Sequence, residues 1–139
     1  MKSNNTVETK GRGDYGKALE YYKKSLTIWK ELGDKAEMGD SHSRIGVSYK
    51  QQGNYGKALD HYSKSLAILE ELGDKKGIAE CYDNIGNIYD EQGQYENSLS
   101  HYSKSLAIYN EIGDKKGMGA CYNNIGNIHM KQGNQEKSM

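Results

Sequence analysis

Proline and phenylalanine are both missing from this chain of 139 residues, cysteine occurs twice and tryptophan once. Without proline, no segment of helical length is forced to break by a residue that lacks an N–H and clashes with the preceding turn. Twelve tyrosines stand in for phenylalanine and only 35% of the residues are apolar, which is lean for a conventional globule with one greasy core. Stacked units that touch only their neighbours manage with less. Neither sign of charge is in excess, since 19 Lys and Arg balance 19 Asp and Glu. Nucleic acid and anionic membranes both demand surplus cation, so neither is expected as the main partner. No apolar run approaches the roughly 20 residues that span a bilayer. The opening MKSNNTVETKGRG has no apolar centre of the kind an export signal carries, and cytoplasmic residence is the resulting expectation.

What the chain does have is repetition. HYSKSLAI at His61–Ile68 returns letter for letter at His101–Ile108, and a looser copy, YYKKSLTI, occupies Tyr21–Ile28. The period of 40 extends to GDYGKAL at Gly13, GNYGKAL at Gly53, GQYENSL at Gly93 and GNQEKSM at Gly133. It extends also to LGDK at Leu32 and Leu72, IGDK at Ile112, and CYDNIGNIY at Cys81, which reappears as CYNNIGNIH at Cys121. A fixed period of this size is the mark of a repeat architecture.

Each repeat reads as two helices. Leu59, Tyr62, Leu66 and Leu69 advance by three or four, as do Leu99, Tyr102, Leu106 and Tyr109, which marks one apolar stripe per helix. Tyr82, Ile85 and Tyr89 form the stripe of the other helix, with Ile88 on its flank. Gly73 and Gly113 suit the left-handed residue that ends a helix, and Asp74 and Asp114 suit the cap that begins the next. Gly53 with Asn54 and Gly13 with Asp14 punctuate the other turns. The predicted helices run over about 14–32, 35–52, 55–72, 75–92, 95–112 and 115–132.

This pattern resembles the tetratricopeptide repeat (TPR). Its large–small code falls on Tyr82, Ile85, Gly86 and Tyr89 in helix A, then on Gly93, Tyr95, Ser98, Tyr102 and Ser105 in helix B. One repeat earlier the matching residues are His42, Ile45, Gly46, Tyr49, Gly53, Tyr55, Ala58, Tyr62 and Ser65. Gly46, Gly86 and Gly126 are expected to let helix B come close to helix A. A glycine inside a helix costs about 1 kcal/mol, so three aligned ones imply a compensating contact. The usual unit has about 34 residues and a closing proline. This one is longer and has none, and NIGN at Asn84 and Asn124 is similar to the 40-residue subclass of Leu-Gly-Asn spindle-orientation scaffolds and bacterial signalling arrays. The resemblance implies an all-α fold, a right-handed α-solenoid of antiparallel helix pairs. Residues 1–12 are expected to be a disordered tail, followed by a TPR domain over 13–133. That domain divides into a half repeat (13–34), two full repeats (35–74 and 75–114) and a second half repeat (115–133), with 134–139 the truncated start of a further helix.

The resemblance also implies a function: A helices of the family line a concave groove that holds a partner protein or peptide. Carried over by position, Asp40, Ser43, Val47, Lys50 and Gln51 would face it from the first full repeat. Glu80, Asp83, Asn87, Asp90 and Glu91 would follow from the second, and Ala120, Asn123, Asn127, Met130 and Lys131 from the third. Asparagine suits such a place because its amide both donates to and accepts from a peptide backbone. The acids at Glu80, Asp83, Asp90 and Glu91 read in two ways on such a face: they attract a ligand with a basic or hydroxyl-bearing stretch, or they are simply a solvated helix face. The clamp that holds acidic chaperone tails needs Lys where this chain has Ser43, Asp83 or Asn123, so that role is not expected.

Other motifs dissolve. GRGDYG at Gly11–Gly16 has dinucleotide-loop spacing but no strand before it and no βαβ unit after it. The RGD at Arg12 and the glycosylation acceptor at Asn4 lack an export signal. Cys81 and Cys121 take equivalent places on successive A helices. Packed helices lie about 8–10 Å apart, beyond the about 7 Å Cα separation a disulfide allows, so both read as reduced, buried packing residues. His61 and His101 read as partly exposed helix-surface histidines with no metal-ligand spacing. His42 is expected to fill a packing gap, and His129 replaces Tyr89 one repeat on. Ser, His and acidic residues all follow the repeat, whereas a catalytic residue should break it. No enzyme, metal or cofactor is expected. The chain opens on a lone B helix and closes on a lone A helix, each with an uncovered apolar stripe. Either it is a piece of a longer architectural or sensory array with no ligand of its own, or the two half repeats complete each other between molecules in head-to-tail self-association.

Overall fold

The computed structural model describes residues 13–138, and the expected tail at 1–12 lies outside the described residues. Six helices follow one another: α1 (Tyr15–Leu32), α2 (Lys35–Gln51), α3 (Tyr55–Leu72), α4 (Lys75–Glu91), α5 (Tyr95–Ile112) and α6 (Lys115–Ser138). There is no strand among the described residues. In the repeat notation α2, α4 and α6 are A helices, and α1, α3 and α5 are B helices. The chain divides into two compact units that meet inside α3, one ending at Ser65 and the other beginning at Leu66.

The turns follow from local chemistry. Gly33 takes φ 68° and ends α1, while the Asp34 N–H reaches back to the Trp29 carbonyl at 3.0 Å. That bond closes a Schellman turn and satisfies a carbonyl the helix would leave orphaned. Asp34 then accepts from the Glu37 N–H at 3.1 Å and caps α2. Asp74 and Asp114 repeat the device on Gly77 and Gly117, both at 3.0 Å. Connections this short leave consecutive helices antiparallel.

In the first unit α1 packs on α2, and α2 takes the first half of α3. The Tyr62 ring lies over Gly46, so close that a Cβ there would stand 2.8 Å from its Cε1. Ser65 donates to the Gly39 carbonyl at 2.8 Å. In the second unit α4 packs on α5 and α5 on α6. Tyr102 lies over Gly86 in the same way, with 2.8 Å to a Cβ, and Ser98 donates to the Gly86 carbonyl at 2.9 Å. The seam therefore runs through small residues. Ala58, Ser65, Ser98 and Ser105 are fully buried with Tyr62 and Tyr102, whereas Leu59, Leu66, Leu99 and Leu106 are half-buried on the flank. Apolar periodicity alone centred the stripe on the leucines; close approach needs the small side chains there instead. Ile88 is likewise fully buried while Tyr82 and Tyr89 are half-exposed, so the flank residue is the deeper one.

Two expectations fail at α6. A Cβ on Gly126 would meet nothing within 4 Å, so among the described residues no helix approaches it as Gly46 and Gly86 are approached. Nor does the helix stop at Gln132: it runs to Ser138, and Gly133 is not among the glycines of positive φ.

Candidate functional site

The A-helix face of the second unit is made by α4 and α6. Steps of three and four along α4 bring Glu80, Asp83, Asn87 and Glu91 to one side, with Asp90 beside them. Glu80 and Glu91 are exposed, while Asp83, Asn87 and Asp90 are half-buried. From α6 come Ala120, Asn123, Asn127, Met130 and Lys131, all exposed, Met130 at 68%. The two helices meet directly at Lys131, whose Nζ lies 2.8 and 2.9 Å from the two Asp90 carboxylate oxygens. One of the four acids expected to attract a cation is thus already paired, by another residue expected on the same surface.

Asp83 forms the floor. The Tyr109 hydroxyl donates to it from α5 at 3.5 Å, and the Cys121 thiol donates from α6 at 3.5 Å. Cys121 also bonds Ser105 Oγ at 3.4 Å. Burial raises the Asp83 carboxyl above the usual range, and hydrogen bonds from Ser105, Cys121 and Tyr109 pull it partly back. Burial pushes the Cys121 thiol up to about 11, with the Asp83 charge adding to the rise. Both cysteines are buried and unbridged. Beside Asp83, Tyr102 donates its hydroxyl to Asn87 Oδ1. With that oxygen engaged, the N–H donors are what Asn87 can offer a ligand. The Tyr102 hydroxyl is itself raised to about 12, mainly by burial.

In the first unit the corresponding face lies on α2. Ser43 is half-buried and its hydroxyl shares a 2.7 Å bond with Ser65. Val47 is 39% exposed, Lys50 half-buried and Gln51 exposed. Asp40 pairs with Arg44 at 2.8 Å. Behind this face His42 is buried, as a gap-filler should be, but His61 is no mere surface residue. Its ring stacks between His42 and Tyr49, at centroid distances of 5.3 and 5.6 Å. The two Nδ1 atoms lie 3.1 Å apart, so one ring donates to the other. Burial, then the neighbouring His61, lowers His42 from 6.5 to about 4. His101 sits in the same way between Tyr82 and Tyr89, at 6.0 and 5.3 Å.

The residues that underpin Asp83 were not among those read from the sequence as lining the groove. A signal was there: Tyr109 stands where the repeat has Leu69, and Asp83 where it has Ser43 and Asn123. The two departures answer each other across α4 and α5. Gly117 belongs to the same cluster. A Cβ there would lie 2.3 Å from Tyr109 Cδ1, so the glycine makes room for the ring.

The model of the tetratricopeptide repeat family matches residues 8–71, 37–111 and 77–139. The chain belongs to the TPR family. Its fold class is the all-α solenoid, and TPR repeats generally serve protein–protein interaction on a non-catalytic scaffold. Three solved structures place the fold further. BtubC (BKLC) from P. vanneervenii is 22% identical with a TM-score of 0.78, over 89% of this TPR chain and 51% of that one. The apo form of RapI is 23% identical with a TM-score of 0.74, over 84% and 42%. The TPR domain of Arabidopsis FLU is 27% identical with a TM-score of 0.64, over 76% and 87%. This TPR chain thus spans about half the length of the first two. A search of curated proteins finds no match. Among the described residues, no helix is long and apolar enough to cross a membrane.

Proposed function

We propose that this TPR chain is a protein-interaction module that holds a partner peptide or helix against the A-helix face of α4 and α6. The observation that carries the reading is the state of its amides. Tyr102 engages only the Asn87 oxygen and leaves its N–H donors, and Asn123 and Asn127 are exposed on α6. Met130 supplies an exposed apolar contact beside them. Glu80, Asp83 and Glu91 favour a peptide with a basic or hydroxyl-bearing stretch, while Lys131 offsets Asp90 and moderates that preference. Ser43, Val47 and Lys50 on α2 offer a smaller surface of the same kind. The acidic tail of a chaperone does not suit these walls.

The test is a peptide-array screen with the intact chain, followed by calorimetric titration of the best peptide. A side-chain hydrogen bond contributes about 0.5–1.5 kcal/mol, so Asn87→Ala and Asn127→Ala are each expected to weaken binding by roughly 2–12-fold. A selected peptide that binds the double variant as tightly as the parent overturns the reading. The second reading, an architectural segment without a ligand of its own, is favoured by exposed apolar side chains: Tyr21, Ile28 and Leu32 on α1, and Tyr122 on α6.

A further inference from the structure

Two tyrosines of α5 reach across to α4, one for each of two neighbouring positions on its A-helix face. Tyr102 donates its hydroxyl to Asn87 Oδ1, and Tyr109, two turns along, donates to an Asp83 carboxylate oxygen at 3.5 Å. Both rings are buried, at 1% and 5% exposed. Gly86 leaves the room in which the Tyr102 ring lies. Burial raises both hydroxyls above the ordinary value of 10.0, Tyr102 to about 12, so each keeps its proton at neutral pH and remains a donor. The preceding repeat has neither contact, since Val47 stands there at the register of Asn87, Ser43 at that of Asp83 and Leu69 at that of Tyr109.

The two tyrosines leave opposite polarities facing outward. An amide whose oxygen is taken offers its N–H donors. A carboxylate offers only acceptors, about four lone-pair sites. Three donors reach Asp83, from Tyr109, Cys121 and Ser105, so one more is accommodated. Asp83 and Asn87 are one turn apart, neighbours about 5–6 Å from each other on one side of α4. One acceptor therefore stands beside one donor. A residue of an extended peptide carries the complement, since its own N–H and C=O lie on one edge, as in a hydrogen-bonded pair of antiparallel strands.

We propose that Asp83 and Asn87 clamp the main chain of an extended peptide, Asp83 accepting the N–H and Asn87 donating to the C=O of one residue, with Tyr102 as the positioning residue that fixes the direction of the Asn87 amide. This rests on the reading of the chain as an interaction module and narrows its partner. The clamped segment is extended, and the side chain of the clamped residue is free to vary. A helical segment does not fit, because its main-chain groups bond to one another. A basic stretch elsewhere in the peptide is left to the exposed Glu80 and Glu91.

The test takes the tightest peptide of the array screen and alters its main chain. Methylation of each N–H in turn is expected to reveal one position at which binding falls by about 2–12-fold, while alanine at that position leaves binding unchanged. An ester in place of the next peptide bond weakens the carbonyl of the same residue as an acceptor, and its penalty is expected to vanish in Asn87→Ala. Tyr102→Phe keeps the ring over Gly86 and removes only the hydroxyl. It is expected to shrink the ester penalty and leave the methyl penalty as it was, whereas a merely looser α5 would weaken every peptide alike. Circular dichroism checks that helix content is kept. Asn87→Asp is the second variant: with one oxygen still on Tyr102 it turns an acceptor outward, and it is expected to weaken the unmodified peptide at least as much as Asn87→Ala. Equal binding of all the methylated peptides, with Asn87→Ala still weaker, keeps the module and overturns the clamp. So does a penalty that follows a basic side chain of the peptide rather than its main chain, because Asp83 then takes a cation. Capture of no peptide at all overturns the module and the clamp with it.

Discussion

Gly86 and Gly126 hold the same register on successive A helices, yet they respond to alanine in opposite directions. At Gly86 the new Cβ would stand 2.8 Å from Tyr102 Cε1, and the ring is buried and tied to Asn87. Overpacking costs about 1–3 kcal/mol, which exceeds the about 1 kcal/mol gained in helix propensity. Gly86→Ala is therefore expected to lower the urea midpoint. Gly126→Ala meets nothing and is expected to raise it by up to about 1 kcal/mol in dilute solution. The same measurement on both variants decides the point. The cysteines give a second check. Cys81 and Cys121 are at most 2% exposed and burial holds the Cys121 thiol at about 11. At pH 8 the native chain is expected to react with an aromatic disulfide reagent far more slowly than the unfolded chain. Comparable rates would mean that the α4–α6 floor opens readily.

Helix pairing in the first unit carries a pH dependence. His42 on α2 and His61 on α3 share a single Nδ1 contact, so both rings cannot hold the extra proton there without losing it. Burial first, then His61, Lys30 and Lys64, keeps His42 neutral down to about 4, against 6.5 when unfolded. Between those values the unfolded chain binds more protons, so stability rises with pH across the interval. The contribution is complete above about 6.5 and fades as pH falls toward about 4. His42→Tyr places at this site the residue found at Tyr82 and is expected to flatten that slope, as read by thermal melts from pH 7 to pH 4. A slope unchanged in the variant would assign the dependence to His61, which burial also lowers. At this scale most of the architecture was legible in advance. Five of the six expected helices end within a residue or so of where they are found, because Gly–Asp and Gly–Asn punctuation acts through local backbone geometry. The sixth was not: the helix runs on through Gly133, which does not take the positive φ of the glycines at the other turns.

For the whole molecule, stability is a sum of helix–neighbour terms rather than one core. Helices with a packed neighbour on each side should open last. In hydrogen exchange α5, flanked by α4 and α6, is expected to be the most protected element of its unit, and α6 beyond Gln132 the least. Equal protection across α4, α5 and α6 would indicate a single cooperative unit instead.

Periodicity and punctuation, read off the chain alone, were enough for the helices, their order and their pairing, since these depend on contacts between residues close in sequence or one period apart. The positions proposed for each unit's A-helix face, Ser43, Val47 and Lys50 in the first and Glu80 through Lys131 in the second, were read from the repeat alone. What those side chains do was not. Lys131 neutralises Asp90, Tyr102 occupies one end of the Asn87 amide, and Tyr109 and Cys121 converge on Asp83. Each is a meeting of groups from different helices, set by side-chain reach across a packed interface. A one-dimensional pattern holds the register of such groups but not the distance between them.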